Sequence, residues 1–175
     1  LKELVPNDMT LDIRIKNLPI KNIFQVSQGT LKNAVQNPDI ASVSLMGLMF
    51  QIPALLTASG TEISMPGNVL MNDTYRVLLD GRAVADAGAA NMAVADLTLR
   101  VYGYDDLITA MQNASRSEEG LYNQNTQEMM AGIIFARSYA QAKTDETGKT
   151  YDSFHFQLTA DGRMLLNGQD IQTLK

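Results

Sequence analysis

Thr10-Leu11-Asp12-Ile13-Arg14-Ile15 and Asp96-Leu97-Thr98-Leu99-Arg100-Val101 share one pattern. Apolar side chains take every second place, and an arginine stands fifth in each. A period of two belongs to a strand with one buried and one wet face. In the first stretch Met9, Leu11, Ile13 and Ile15 are expected on the dry side, opposite Thr10, Asp12, Arg14 and Lys16. In the second, Ala93, Ala95, Leu97, Leu99 and Val101 oppose Asp96, Thr98, Arg100 and Tyr102.

Helical segments come next after both strands. After the first, Pro19 suits an opening helical turn. Ile20, Ile23, Phe24, Ser27, Leu31, Ala34 and Val35 then recur at helical spacing until Asn37-Pro38. A second helix is expected over residues 40–58. After the second strand, Asp105 or Asp106 caps a short helix carrying Leu107, Ile108 and Met111, and residues 113–124 read as a polar loop. Asn125-Thr126-Gln127-Glu128 resembles a capping box and opens a helix over residues 126–143, with Met129, Met130, Ile133, Ile134 and Tyr139 on one face.

Each half then closes on a predicted hairpin. In the first, Ile63 and Met65 alternate with polar neighbours up to a break at Pro66-Gly67. Residues 74–79 run into a two-residue Asp80-Gly81 turn, and 82–86 return. In the second, Phe154, Phe156, Leu158 and Ala160 alternate with Ser153, His155, Gln157 and Thr159. Asp161-Gly162 turns the chain, and Met164 to Leu166 return. The expected fold is α+β: an antiparallel sheet with helices on one face, built from two pseudo-repeated β-α-α-β-β halves. The repeats span residues 9–86 and 92–171 of a single domain covering 1–175.

Composition narrows the function classes. The chain has 175 residues, 45% of them hydrophobic and 19% charged, enough for one domain with its own core. Its 14 basic and 19 acidic residues give a net charge of −5, with no Lys/Arg cluster to grip phosphates. Nucleic acid is therefore not an expected partner. The absence of cysteine excludes disulfides, thiolate metal sites and a cysteine nucleophile. No Gly-x-Gly-x-x-Gly follows a strand, so no dinucleotide site is indicated.

Chemistry-bearing residues are sparse. His155 is the single histidine, on the polar side of its strand, with no second histidine for a metal site and no nucleophile elbow. The acidic pairs Asp105-Asp106 and Glu118-Glu119 do not have calcium-loop spacing. Arg14 and Arg100 read as wet-face residues; the functional alternative places both at a pseudo-axis to hold an anion. No catalytic residue, cofactor or metal is expected.

The apolar helices are more telling. Residues 40–61 carry no charge, a length close to that of a membrane span. Ser42, Ser44, Gln51, Pro53 and Thr57 argue against spanning, and a buried helix bent at Pro53 is the simpler reading. The sharper one is a helix lining an apolar groove or resting on a membrane. Ten methionines, several on these two helices, add shape-adaptable apolar surface. If the helices face each other over the sheet, Met46, Met49, Phe50, Met129, Met130 and Ile133 bound a cleft for a lipid or another apolar ligand.

The strand ending in Asn17-Leu18-Pro19 and the closing pattern Tyr151…Phe156…Asp161-Gly162-Arg163…Leu166-Asn167-Gly168 resemble the YdgA-like family of Gram-negative envelope proteins and its AsmA-related neighbours. The resemblance covers the two ends of the chain. It implies a periplasmic domain tethered by an N-terminal membrane segment, this chain being the soluble C-terminal part. It carries over no catalytic residues and implies lipid or protein binding rather than catalysis. The expected function is a non-catalytic periplasmic binding domain for an apolar ligand. The alternatives are a protein-interaction or scaffolding domain with an envelope partner, and a hydrolase with a carboxylate site.

Overall fold

A computed structural model describes residues 5–116 and 125–173. Among these, nine strands form one antiparallel sheet accompanied by four α-helices, so the chain is α+β. In chain order they are β1 (Asp8–Thr10), β2 (Arg14–Lys16), α1 (Ile20–Gln36), α2 (Ala41–Ser59), β3 (Glu62–Met71), β4 (Arg76–Ala85), β5 (Ala93–Tyr102), α3 (Tyr104–Arg116), α4 (Asn125–Arg137), β6 (Gln141–Thr144), β7 (Thr150–Leu158), β8 (Met164–Leu166) and β9 (Gln169–Asp170). The sheet runs β1-β3-β4-β5-β7-β8-β9, with β2 also on β3 and β6 also on β7.

The register places nearly all alternating apolar residues on one face. Val77 pairs with Val101, Leu79 with Leu99, and Ala83 with Ala95. Leu99 in turn meets Phe154, and Leu97 meets Phe156. Phe156 continues the row to Leu166 on β8. At the far edge, Met9 joins it through Leu70 and Ile15 through Ile63. The opposite face carries Arg14, Lys16, Glu62, Asp80, Arg82, Asp96, Arg100, His155 and Gln157.

Asp80-Gly81 does not turn the chain. β4 passes straight through it, paired with β5 without a break and with β3 on either side of one irregularity. The irregularity sits across the strand instead. Pro66-Gly67 is a bulge inside a continuous β3, between Met65 and Asn68. Asp80 serves that bulge by accepting a hydrogen bond from the Gly67 N–H at 2.7 Å. Gly81 allows β5 to come close, since a Cβ there would lie 2.5 Å from the Asp96 carbonyl oxygen and 2.7 Å from Leu97 Cα. Asp161-Gly162 is a true turn: the Gly162 N–H reaches the Thr159 carbonyl, and the Thr159 N–H reaches the Arg163 carbonyl.

The same bulge explains why the first alternating stretch is two short strands rather than one. Opposite Pro66-Gly67 the edge loses its ladder partners, and residues 11–13 leave the sheet. The buried Asn68 side chain takes over. Its Oδ1 accepts from the Asp12 N–H at 2.5 Å and its Nδ2 donates to the Asp12 carbonyl at 3.2 Å. Met9, Leu11, Ile13 and Ile15, expected to be buried, are exposed.

The helices form two pairs of different character. The α3–α4 pair lies on the apolar face. Val101, Tyr104, Phe154 and Leu166 form the buried cluster there, packed against Val77, Leu99, Ile133, Ala136 and Tyr139. α4 ends at Arg137, earlier than residue 143, and residues 141–144 form the edge strand β6 instead. Asn167 closes this region: its Nδ2 donates to the Tyr139 carbonyl at 2.6 Å and its Oδ1 accepts from the His155 N–H at 2.8 Å. α3 continues to Arg116, into the segment read as a loop, and residues 117–124 lie outside the described part of the structure.

The α1–α2 pair packs chiefly on itself. Neither helix holds a buried residue, so the expectation of a core helix over residues 40–58 is corrected. The boundaries hold closely, but the surroundings do not. Its root is well fixed, with Thr61 buried: Thr61 Oγ1 donates to the Asn17 carbonyl at 3.1 Å, and the Ala85 N–H donates to the Thr61 carbonyl at 2.8 Å.

Each half has a strand, a helix pair and further strands, but the second half inserts β6 between α4 and β7, and β5 pairs with β7 rather than with β6. Asp80-Gly81-Arg82 and Asp161-Gly162-Arg163 share a tripeptide but not a structure, because the first lies mid-strand and the second at a turn.

Candidate apolar binding site

Between the sheet and the α3–α4 pair lies a cavity of about 340 Å³. Val77, Leu99, Val101, Phe154 and Phe156 form its floor, and Tyr104, Leu107, Gly132, Ile133 and Ala136 its roof. The floor follows from alternation, since these are the inward members of β4, β5 and β7. The roof follows from α3 and α4 crossing that face. Gly103 makes the close β5–α3 corner possible: its φ is +70°, and a Cβ there would run into the Thr74 carbonyl oxygen.

The polar atom nearest this lining is already engaged. The Tyr104 hydroxyl donates to the Ile133 carbonyl at 2.7 Å, tying α3 to α4 across the roof. Burial pushes the Tyr104 phenol above its ordinary value, and the negative Asp152 nearby acts in the same direction. The phenol is thus a neutral hydrogen-bond donor at physiological pH. A second apolar cavity of about 150 Å³ adjoins on the same face, lined by Ala95, Leu97, Leu158, Met164 and Ile171, with Phe156 common to both. The two cavities share Phe156 as a common wall.

Of the residues predicted to bind, Ile133 lines the cavity. Met46, Met49 and Phe50 sit on α2, exposed, and none of them lines it. Met129 and Met130 lie on α4, with their side chains outside the described residues. Reading from the sequence missed Tyr104, Leu99, Val101, Phe154 and Phe156 as lining residues. Their shared face was legible from the alternation. That helices would cross it without filling it was not.

The ionisable groups are spread over the wet face and the rim. Arg100 Nη2 donates to Asp80 Oδ2 at 2.5 Å, while its buried Nε has no partner among the described residues. Arg14 pairs with Asp12 at 2.6 Å. Two strands separate Arg14 from Arg100, and each holds its own carboxylate, so the two do not converge on one anion. His155 Nε2 lies 2.9 Å from Asp96 Oδ1, and Gln157 Nε2 donates to the other oxygen of Asp96 at 3.3 Å.

At the rim, Arg137 hydrogen-bonds Asp105, lies 3.8 Å from Asp152 and sits 5.3 Å from the Tyr104 ring centre. The Arg137 hydrogen bond holds the Asp105 carboxyl below its ordinary value. Glu118-Glu119 lie outside the described residues. Among the described residues, no group of three or more His, Cys, Asp or Glu side chains could hold a metal ion.

Comparison with known proteins finds no matching family model, no matching curated sequence and no matching solved structure.

Proposed function

We propose that this chain is a non-catalytic binding domain for an elongate apolar ligand, with a fatty-acyl chain as the chemistry that fits. The observation that carries this reading is the cavity between the sheet and the α3–α4 pair, walled almost wholly by hydrocarbon. A hydrocarbon chain needs no hydrogen bonds, and the walls offer few. It gains by leaving water, roughly 0.8 kcal/mol for each methylene buried. The continuation past Phe156 suits a linear ligand better than a compact one.

The setting we propose is the periplasmic side of a bacterial envelope, with a membrane tether upstream of this segment. That part rests on the resemblance of the Asn17-Leu18-Pro19 and Leu166-Asn167-Gly168 motifs to YdgA-like proteins. We also read the two halves as copies of one module, supported by the strand and helix pair that open each.

The test is uptake of a fluorescent fatty acid by the detergent-free protein, with native mass spectrometry for co-purified lipid. Saturable binding is expected. Ala136→Phe, which thickens the cavity roof, is expected to weaken it by about tenfold. Failure of the wild-type protein to bind any acyl probe overturns the reading.

A protein-interaction domain is the second reading. Its support is the exposed Met9, Leu11, Ile13 and Ile15, on β1, β2 and the segment between them at the sheet edge.

A further inference from the structure

The least explained element is α2. Ala41–Ser59 has no charged residue, and with the short turn before it forms a 22-residue run, Pro38–Ser59, long and apolar enough to cross a membrane by length and composition. An all-apolar helix in a water-soluble protein is normally a core helix. This one has no buried residue.

Its exposed large apolar residues form one broad face. Val43, Leu45, Met46, Met49 and Phe50 are all exposed, Met49 at 73% and Phe50 at 74%. At 100° per residue these five fall within an arc of about 160°, a broad apolar side of the helix. This face has no charged side chain to orient a protein partner, and lipid tails need none.

The helix partner has the complementary design. α1 is amphipathic, and Lys21 and Lys32, eleven residues apart, fall on one side of it with Gln25 and Gln28. Ile20, Phe24, Leu31 and Val35 lie exposed on the adjoining side.

Charge is segregated to match. Between residues 18 and 61 only Lys21, Lys32 and Asp39 are charged, a surplus of one positive charge in a chain of net −5. The hairpin is slightly positive while the rest of the chain carries the negative charge.

We propose that the α1–α2 hairpin docks into the surface of an anionic bilayer. α2 lies among the acyl chains, and Lys21 and Lys32 of α1 stay at the headgroups. The hairpin root at Asn17, Gly60 and Thr61 then holds the sheet at the membrane face. The inference uses none of the cavity residues and stands independently of ligand binding.

Flotation of the whole chain with vesicles tests it. Vesicles of phosphatidylethanolamine and phosphatidylglycerol should carry the protein, and phosphatidylcholine vesicles should carry much less. The Met49→Glu/Phe50→Glu double variant should lose binding by about tenfold or more. Both positions are exposed, so folding should persist by circular dichroism. Lys21→Gln/Lys32→Gln should weaken binding roughly tenfold and remove much of its salt sensitivity. Absence of flotation by the wild-type chain overturns the proposal, as does flotation unchanged by the glutamate pair. A wild-type dimer that the glutamate pair makes monomeric, with no vesicle binding, would show that a second copy covers α2 and would overturn it too.

Discussion

At the scale of single residues, Gly81 and Asp80 show how far a local motif depends on its neighbours. Asp-Gly between two alternating runs has every feature of a hairpin turn. Here Pro66-Gly67 on β3 adds an extra residue to the neighbouring strand, and Asp80 supplies an acceptor for the displaced Gly67 N–H. Gly81 is required by contact rather than by turning, because β5 backbone occupies the space a Cβ would need. Gly81→Ala is expected to destabilise the protein by about 2 kcal/mol or more, since backbone rather than a flexible side chain must move. Chemical denaturation measures this directly. Stability equal to that of the parent would show that β4 and β5 have room to move apart at no cost.

At the scale of elements, the two helix pairs differ in what holds them. The α3–α4 pair is joined by the Tyr104 hydroxyl to the Ile133 carbonyl and by Arg137 to Asp105, and Asn167 clamps the segment after α4. Tyr104→Phe removes one buried hydrogen bond while keeping the ring against Phe154, at a centroid distance of 6.2 Å. The expected cost is about 1 kcal/mol, seen as a lower urea midpoint with an unchanged slope. A changed slope would instead mean that α4 leaves the sheet. The α1–α2 pair has no comparable clamp beyond its root, and short helices in water are marginal without tertiary packing. The bilayer proposal supplies the missing apolar contact.

At the scale of the whole molecule, acid should loosen several separate places at once. Asp145 accepts from Thr147 Oγ1 and from the Lys149 and Thr147 N–H groups in the β6–β7 turn, and its carboxyl is held below the ordinary value. Asp161 is lowered by Thr159 and Arg163 in the β7–β8 turn, and Asp105 by Arg137 at the cavity rim. A carboxyl depressed in the folded state binds its proton more readily when unfolded. Its contribution is therefore complete above the ordinary carboxylate value of 3.8 and disappears as pH falls through the folded value. Thermal unfolding midpoints should stay level from neutral pH to about 5 and drop below about 4. Asp145→Asn should show a shallower drop than the parent. An equal drop would mean that the β6–β7 turn contributes nothing to the acid response.

Alternation at Leu97, Leu99 and Val101 and at Phe154 and Phe156 was enough to determine an antiparallel α+β fold with one dry face, because side-chain period reports which residues share a side. Helical spacing likewise located α1 and α2 closely. Neither period reports what stands opposite a face. Whether Asp80-Gly81 turns or passes through depends on a bulge in another strand, and whether α2 is core or surface depends on how many elements reach it. Only the tertiary structure decided that helices roof the Leu99–Phe154 face without filling it, and that α2 stands uncovered. Burial is a property of distant contacts, which local order does not encode.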